Sequence, residues 1–340
     1  MTIVCAQPDR ESGFLPKPVL TIGQLAARTA ETAVRALLRE AEAGPKPGLV
    51  DRFCPGVHTD MDISHFRLSA VVLRPFFESI TLESAAFMIK TGQTGQGRGK
   101  DTREIPAIFA RTLRNLGLQA ESAMLAATGG VNTHKGAIWT MGLLCAAIGS
   151  AGGSTGSFLE VEAVCTQAAR LAQAILHLEA SPGSGTDSGL NKETGLQPGR
   201  TKGLAAREAY GLRSARDEAL EGFPSIQDRA LPLARNLRLC SVPEDEKVIS
   251  VLLAVMCEAE DTCLVARGGL TALQKAQATA WQVLDGGGPF SGAGEVLYRK
   301  MVAEFRTDGL SPGGSADLCA ATLFLVDIEA EDWTDFSDSL

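Results

Sequence analysis

Aromatic side chains are scarce: 13 Phe, 3 Trp and 2 Tyr make only 5% of the 340 residues. Sheets rely on aromatic and β-branched residues for cross-strand packing, so this scarcity, beside abundant Ala and Leu, favours helix over strand. An excess of positive charge is also missing. With 32 Lys and Arg against 40 Asp and Glu the net charge is −8, which argues against coating nucleic acid, and no nucleic-acid partner is expected. A local basic pocket for one nucleotide is compatible with that sum. The eight cysteines (Cys5, Cys54, Cys145, Cys165, Cys240, Cys257, Cys263 and Cys319) form no C-x-x-C pair and lack His partners. Neither zinc nor a disulfide framework is indicated, and free, mostly buried thiols in a reducing cytosol are expected. The opening MTIVCAQPDRESGF has early acids and no apolar core, so no signal peptide is read there. The longest uncharged run, from Gly136 up to Glu160, is rich in Gly, Ser and Thr and reads as a buried helix entering a loop, not a membrane span. A cytoplasmic chain without a membrane partner is expected. There is no G-x-G-x-x-G after a strand, no G-x-x-x-x-G-K-[ST] and no G-x-S-x-G, so the common nucleotide folds and serine hydrolases lack support.

Apolar types at 45% and charged types at 21% describe a globular chain with enough apolar surface to offset ordering entropy. Its length suits two modest domains or one large helical one. Residues 1–20 hold three prolines and no periodicity, a loose arm. Thr21 can cap a helix to about Ala43, with Ile22, Leu25, Val34, Leu37, Leu38 and Ala41 at roughly helical spacing. Gly44-Pro45 stops it. Helical patterns recur at 63–80, 82–91, 102–116, 119–127, 134–149 and 158–180, then at 204–221, 225–240, 244–265, 270–285, 291–306 and 315–330. Between them, 181–203 is rich in Gly, Ser, Thr and Pro, a flexible surface insertion or disordered loop. No stretch alternates convincingly between apolar and polar residues. The expected fold is all-α: one large bundle-like helical domain over 21–330 with a flexible mid-chain loop, and a tail at 331–340.

Four polar, glycine-rich blocks interrupt this background. The first runs Pro45-Lys46-Pro47-Gly48-Leu49-Val50-Asp51-Arg52 and on to His58-Thr59-Asp60-Met61-Asp62. The second is Thr128-Gly129-Gly130-Val131-Asn132-Thr133-His134-Lys135-Gly136. The third extends from Glu258 through Asp261-Thr262 to Arg267-Gly268-Gly269, and the fourth is Ser311-Pro312-Gly313-Gly314-Ser315-Ala316-Asp317. Each lies at an expected helix boundary, where free N–H groups and the positive end of the dipole attract anions and glycine admits a ligand. Ordinary turns and caps are the competing reading of the glycine pairs. Glu258 and Asp261 share one face if the helix continues. Acids without clustered Cys or His suit Mg²⁺ travelling with substrate phosphates, although Asp62 is equally placed to cap the helix at Ile63. Lys46, Arg52, Lys135 and Arg267 are candidate phosphate contacts, each with a solvated surface role as its alternative. His58 and His134 sit inside the blocks and are read as site residues; His65 and His177 are read as structural.

Taken together, PKPGLVDR with HTDMD, TGGVNTHKGAI, EAEDTCLVARGG and LSPGGSAD, in that order, resemble the triphosphoribosyl-dephospho-coenzyme A synthase family. The resemblance spans about Ala30 to Ile328 and skips 181–203. GLRSARDEALEGFPSI, from Gly211, is similar to a further family stretch but departs from it at Ser214 and Ala215. The resemblance implies an all-helical enzyme that joins ATP to 3′-dephospho-coenzyme A and releases adenine. Its product is the prosthetic-group precursor handed to an acyl carrier protein transferase serving citrate lyase or malonate decarboxylase. A homodimer is a prior for helical enzymes of this size.

That reaction would need a held triphosphate, a stabilised oxocarbenium-like carbon and management of two protons. Mg²⁺ on Asp60, Asp62 and Asp261, with Asp317 a further candidate, would neutralise the triphosphate. His134, Lys135, Lys46 and Arg267 would clamp its oxygens, backed by the amides of Gly129-Gly130 and Gly313-Gly314. Asp51, Arg52, His58, Asn132 and Ser315 complete the binding set, and Glu258, Asp261 and Asp317 are the catalytic carboxylates, with Glu258 or Asp317 as the base. Asp261→Asn is expected to leave the fold intact. Two alternatives remain: an N-glycoside hydrolase resembling the metal-dependent ADP-ribosyl hydrolases, and a non-catalytic helical nucleotide sensor.

Overall fold

The computed structural model describes residues 21–91, 105–152, 160–180 and 209–331. The expected arm at 1–20, the insertion at 181–203 and residues 332–340 of the tail lie outside the described residues. Every regular element among the described residues is helical, so the all-α expectation holds.

Helix α1 (Ile22–Glu42) starts where Thr21 predicts. The Thr21 hydroxyl accepts from the Gln24 N–H and the Gln24 side chain accepts from the Thr21 N–H, a capping box. Of the expected stripe, Leu25, Leu37 and Ala41 are buried, but Val34 and Leu38 only partly. The buried face is instead built on Ala26, Ala30, Ala33, Ala36 and Leu37, with Glu40 in the same row. Small side chains there let α1 lie along α2 (Ile63–Thr91). Helix α2 runs unbroken past 80 and through Pro75; the carbonyl that loses its partner belongs to exposed Val71, where water can serve it. Helix α3 (Ala107–Ala127) likewise passes Gly117, which faces open space. Then follow α4 (Lys135–Gly152) and α5 (Val161–Ala180).

The second half departs more from the sequence reading. Residues expected to be helical just before 215 leave the helical path, and Ser214 caps a short α6 (Ala215–Leu220) with Asp217 as its capping-box partner. A π-helical turn (Ile226–Ala230) leads into α7 (Leu231–Arg238). The expected helix 244–265 is cut into α8 (Glu244–Glu258) and α9 (Thr262–Asp285), because Asp261 caps a new helix. Gly269, at φ 72°, bends α9. Helices α10 (Gly292–Asp308) and α11 (Gly313–Ala330) complete the chain.

Helices α4, α8 and α11 form the interior. Val248 through Cys257 in α8 and Leu318 through Val326 in α11 are buried without interruption, as expected for helices apolar on every side. Helix α11 packs against α1, α4, α7, α8 and α9, so its N-terminus is held from several directions. Among the described residues no helix is long and apolar enough to cross a membrane.

Two glycines of similar φ separate backbone strain from crowding. Gly48 (φ 67°) would bring a Cβ within 1.8 Å of the Leu310 carbonyl oxygen, whereas Gly129 (φ 66°) has nothing within 4 Å. Gly129→Ala should therefore cost about 1–2 kcal/mol through left-handed strain alone. Gly48→Ala should cost more than about 3 kcal/mol, since the 43–54 loop must move off Leu310. Urea unfolding of both variants checks this, and equal losses would refute the contact.

Candidate active site

The fourth block is where the other three meet. From the third, Asp261 lies between two helix starts. Its Oδ1 accepts from the N–H groups of Cys263 (2.9 Å) and Leu264 (3.1 Å) at the head of α9. Its Oδ2 accepts from the N–H (2.7 Å) and hydroxyl (2.8 Å) of Ser315 in the first turn of α11. A charged acceptor at two N-termini satisfies orphan donors and both dipoles at once. Gly314 packs tightly beside it, because a Cβ there would lie 3.3 Å from the carboxylate.

Asp317, one half-turn further along α11, reaches the start of α4 from the second block. A Cβ on Gly136 would fall 2.0 Å from its Oδ2, so only glycine fits opposite it. Burial of the carboxylate, then the charges of Glu40 and Asp261, push its pKa well above the usual range, against the Ala137 N–H, which lowers it. The residue as a whole keeps partial exposure. Glu40, on the buried row of α1, pairs with Lys46 of the first block: Lys46 Nζ donates to the Glu40 carboxylate (2.7 Å) and carbonyl (2.6 Å), with the ammonium side chain only 1% exposed. His58 Nε2 lies 3.1 Å from the Ser311 hydroxyl, a second link between the first and fourth blocks.

His134 is fully enclosed. Its Nδ1 is 2.7 Å from the Ser69 hydroxyl, its ring meets the Phe66 edge, and its Nε2 has no hydrogen-bond partner. Burial, helped by the Lys46 charge, pushes its pKa down to about 3. The imidazole is thus neutral at pH 7, so any contact it makes with a phosphate oxygen is a neutral hydrogen bond.

Other expected residues lie apart from this interior. Gly129 and Gly130 end α3: the Gly130 N–H donates to the Leu125 carbonyl, so the pair occupies a helix C-terminus rather than the N-terminus expected. Asn132 accepts from the Lys135 N–H, capping α4, and the exposed Lys135 ammonium pairs with Glu121. Asp51 accepts from the N–H groups of Lys46, Phe53 and Cys54, and organises its own loop. Arg52 makes a bidentate pair with Asp245, and Arg267 donates to the Gly309 carbonyl. Asp62 caps α2 through Ser64, whose hydroxyl and N–H, with His65, hold its pKa down to about 2. Asp60 is exposed, 4.0 Å from His58. Gly313 packs a position away from Asp261, against Cys263. Among the described residues no three His, Cys, Asp or Glu side chains are grouped to hold a metal, so Asp60, Asp62 and Asp261 do not form a ready-made cage.

Glu258 belongs to a neighbouring network rather than to the Asp261 face, because the helix ends between them. It pairs with Arg229, which stacks 3.4 Å over Trp281. Arg213 meets Glu218, Glu221 and Glu260, and its N–H donates to Glu260. Buried Glu218, its pKa raised by burial, accepts from the Ser225 N–H across a turn in which Phe223 holds φ 63°. Sequence reading missed Glu40, Ser69, Arg213, Glu218 and Glu260. Glu40 left a signal: an acid in helical register with Ala33, Ala36 and Leu37, on a face with no water to solvate it.

The hydrogen bonds of Asp261 reverse the expectation that Asn would be tolerated. A carboxamide has one acceptor oxygen, and its NH₂ would face N–H donors. Asp261→Asn should cost on the order of 2–4 kcal/mol from lost capping and unsatisfied buried donors. Asp60→Asn, at an exposed acid, should change stability by less than about 0.5 kcal/mol. Thermal melts of the two variants read the contrast, and an unshifted Asp261→Asn melt would disprove the fastening role.

Comparison with known proteins bears on this arrangement. Residues 26–336 match the CitG family, described as ATP:dephospho-CoA triphosphoribosyl transferase. A protein of Azotobacter vinelandii, named a probable 2-(5″-triphosphoribosyl)-3′-dephosphocoenzyme-A synthase, is 38% identical over 315 residues, covering 93% of this chain and 94% of its own. One of Pseudomonas fluorescens with the same name is 37% identical, covering 91% and 94%. A Klebsiella pneumoniae protein named 2-(5″-triphosphoribosyl)-3′-dephosphocoenzyme-A synthase is 35% identical, covering 87% and 92%. No solved structure matches. A match of this extent, carrying all four blocks, places the chain in the ATP:dephospho-CoA triphosphoribosyl transferase family.

Proposed function

We propose that the chain transfers the triphosphoribosyl group of ATP to 3′-dephospho-coenzyme A and that the Asp261–Asp317–Glu40–Lys46 interior lies beneath the reacting ribose. It is a transferase. The bond between C1 of the ribose and adenine breaks, a bond forms from that carbon to the 2′-oxygen of dephospho-coenzyme A, and the hydroxyl proton ends on adenine. Positive charge grows on the ribose as adenine leaves. The observation that carries this reading is the gathering of Asp317, Asp261 and Glu40 around the starts of α4, α9 and α11. Carboxylates fixed there favour a cationic carbon and would repel a triphosphate, so the phosphates belong at the rim, near exposed Lys135 and Arg267. Asp317, its pKa raised by burial, is suited to manage the proton between the hydroxyl and adenine. Asp261 keeps the helix starts in place.

The oxygen-only side chains at the rim fit Mg²⁺ brought in by the nucleotide, with exposed Asp60 as the protein carboxylate of choice, and do not fit an all-protein cage. When bound, that ion would neutralise triphosphate charge. The product would pass to an acyl carrier protein transferase in the cytoplasm, in the service of citrate lyase or malonate decarboxylase.

Incubating the protein with ATP and Mg²⁺, with and without dephospho-coenzyme A, tests the reading. Adenine should appear only when the acceptor is present, together with a triphosphoribosyl adduct by mass spectrometry. Adenine release from ATP and water alone would establish the hydrolase instead. Chelation should weaken ATP binding at least ~10-fold by calorimetry, since the triphosphate charge would lose its counter-ion.

A further inference from the structure

Glu40 lies in none of the four blocks, yet the chain builds a support around its partner. Asp51 pins the loop carrying Lys46 through three N–H groups, at 2.9, 2.8 and 3.0 Å. The Tyr298 hydroxyl donates to the Pro45 carbonyl at 2.5 Å, and Gly48 presses on Leu310 with no space for a side chain. All this fixes one ammonium against one carboxylate, both withdrawn from water. Burial alone does not call for such a pair, because replacing a buried ion pair with apolar residues of similar volume is often neutral or stabilising. Its charges reach the functional interior instead: Glu40 acts on Asp317 and Cys319, and Lys46 on His134. Lys46 is the cation paired with Glu40, and Glu40 in turn acts with Asp261 on Asp317.

We propose that Glu40 is a positioning residue for the transfer reaction: on a helix packed against α11, and paired with Lys46, it forms a buried charged foundation that sets the field around Asp317. This role rests on the transfer reading above. It acts through Asp317 on the reacting ribose rather than on the triphosphate, so it should appear in kcat and not in ATP binding.

The full-length protein, Glu40→Gln and the double variant Glu40→Leu/Lys46→Met are compared by adenine release, adduct formation, KM for ATP and thermal melting. The double variant should melt at or above the wild-type temperature, while kcat falls roughly 10²-fold and KM for ATP stays within about threefold. Glu40→Gln should lower kcat at least ~10-fold, again without a matching change in KM. A folded double variant turning over within about threefold of wild type would overturn the role. So would a double variant that no longer folds, since the pair would then serve the fold. A wild-type chain that forms no adduct overturns the transfer reading and this role with it, whereas an active wild type beside an equally active double variant overturns the role alone.

Discussion

The carboxylate of Asp261 ties the molecule together at its most constrained point. Four donors from two helices converge on its two oxygens, so the direction of α9 and the start of α11 are set by one side chain. A charge-assisted contact of this kind is roughly twice as strong as a neutral one. Its consequence is geometric. Once Ser315 is anchored, Asp317 is carried to the head of α4 and meets Gly136, and the cluster with Glu40 forms. The interior helices α4, α8 and α11, apolar on all sides, supply the rigid body on which this small polar knot is mounted.

Acids inside and cations outside is an unusual order for a protein that handles a triphosphate, and it accords with the proposed reaction better than with phosphate binding alone. A phosphate-binding interior would be basic. Here the enclosed groups are carboxylates, with Lys46 already spoken for by Glu40, while Lys135, Arg52 and Arg267 lie toward solvent with acidic or carbonyl partners. The neutral His134 fits the same order: it adds hydrogen-bonding capacity without adding charge.

Much of this was legible in the chain. The helical class came from composition and period, and Thr21, Gly44-Pro45 and the four blocks marked true boundaries. The failures had local causes. Asp261 read as the continuation of a helix face because an N-cap aspartate and a mid-helix aspartate look alike until the next helix is seen. Gly129-Gly130 read as an N-terminal cradle, although glycine serves helix ends of both kinds. Gly117 fell between two expected helices, yet it faces open space, where a missing side chain leaves no gap in the packing and one helix runs through. Glu40 escaped notice because attention fell on Val34 and Leu38, the larger side chains, while the face actually buried is lined with alanine.

The tight apposition of glycine and acid also bears on how such a sequence can change over generations. Asp317 fills the volume in which any side chain at 136 would begin, and Asp261 stands behind 314 at a tight 3.3 Å. The 136/317 pair is the stricter: a larger residue at 136 meets the carboxylate, and shortening the acid leaves a void next to a helix start. A change at 136 therefore calls for a matching change at 317. Substitutions that retune the site are therefore accommodated more readily at its exposed residues than at this couple.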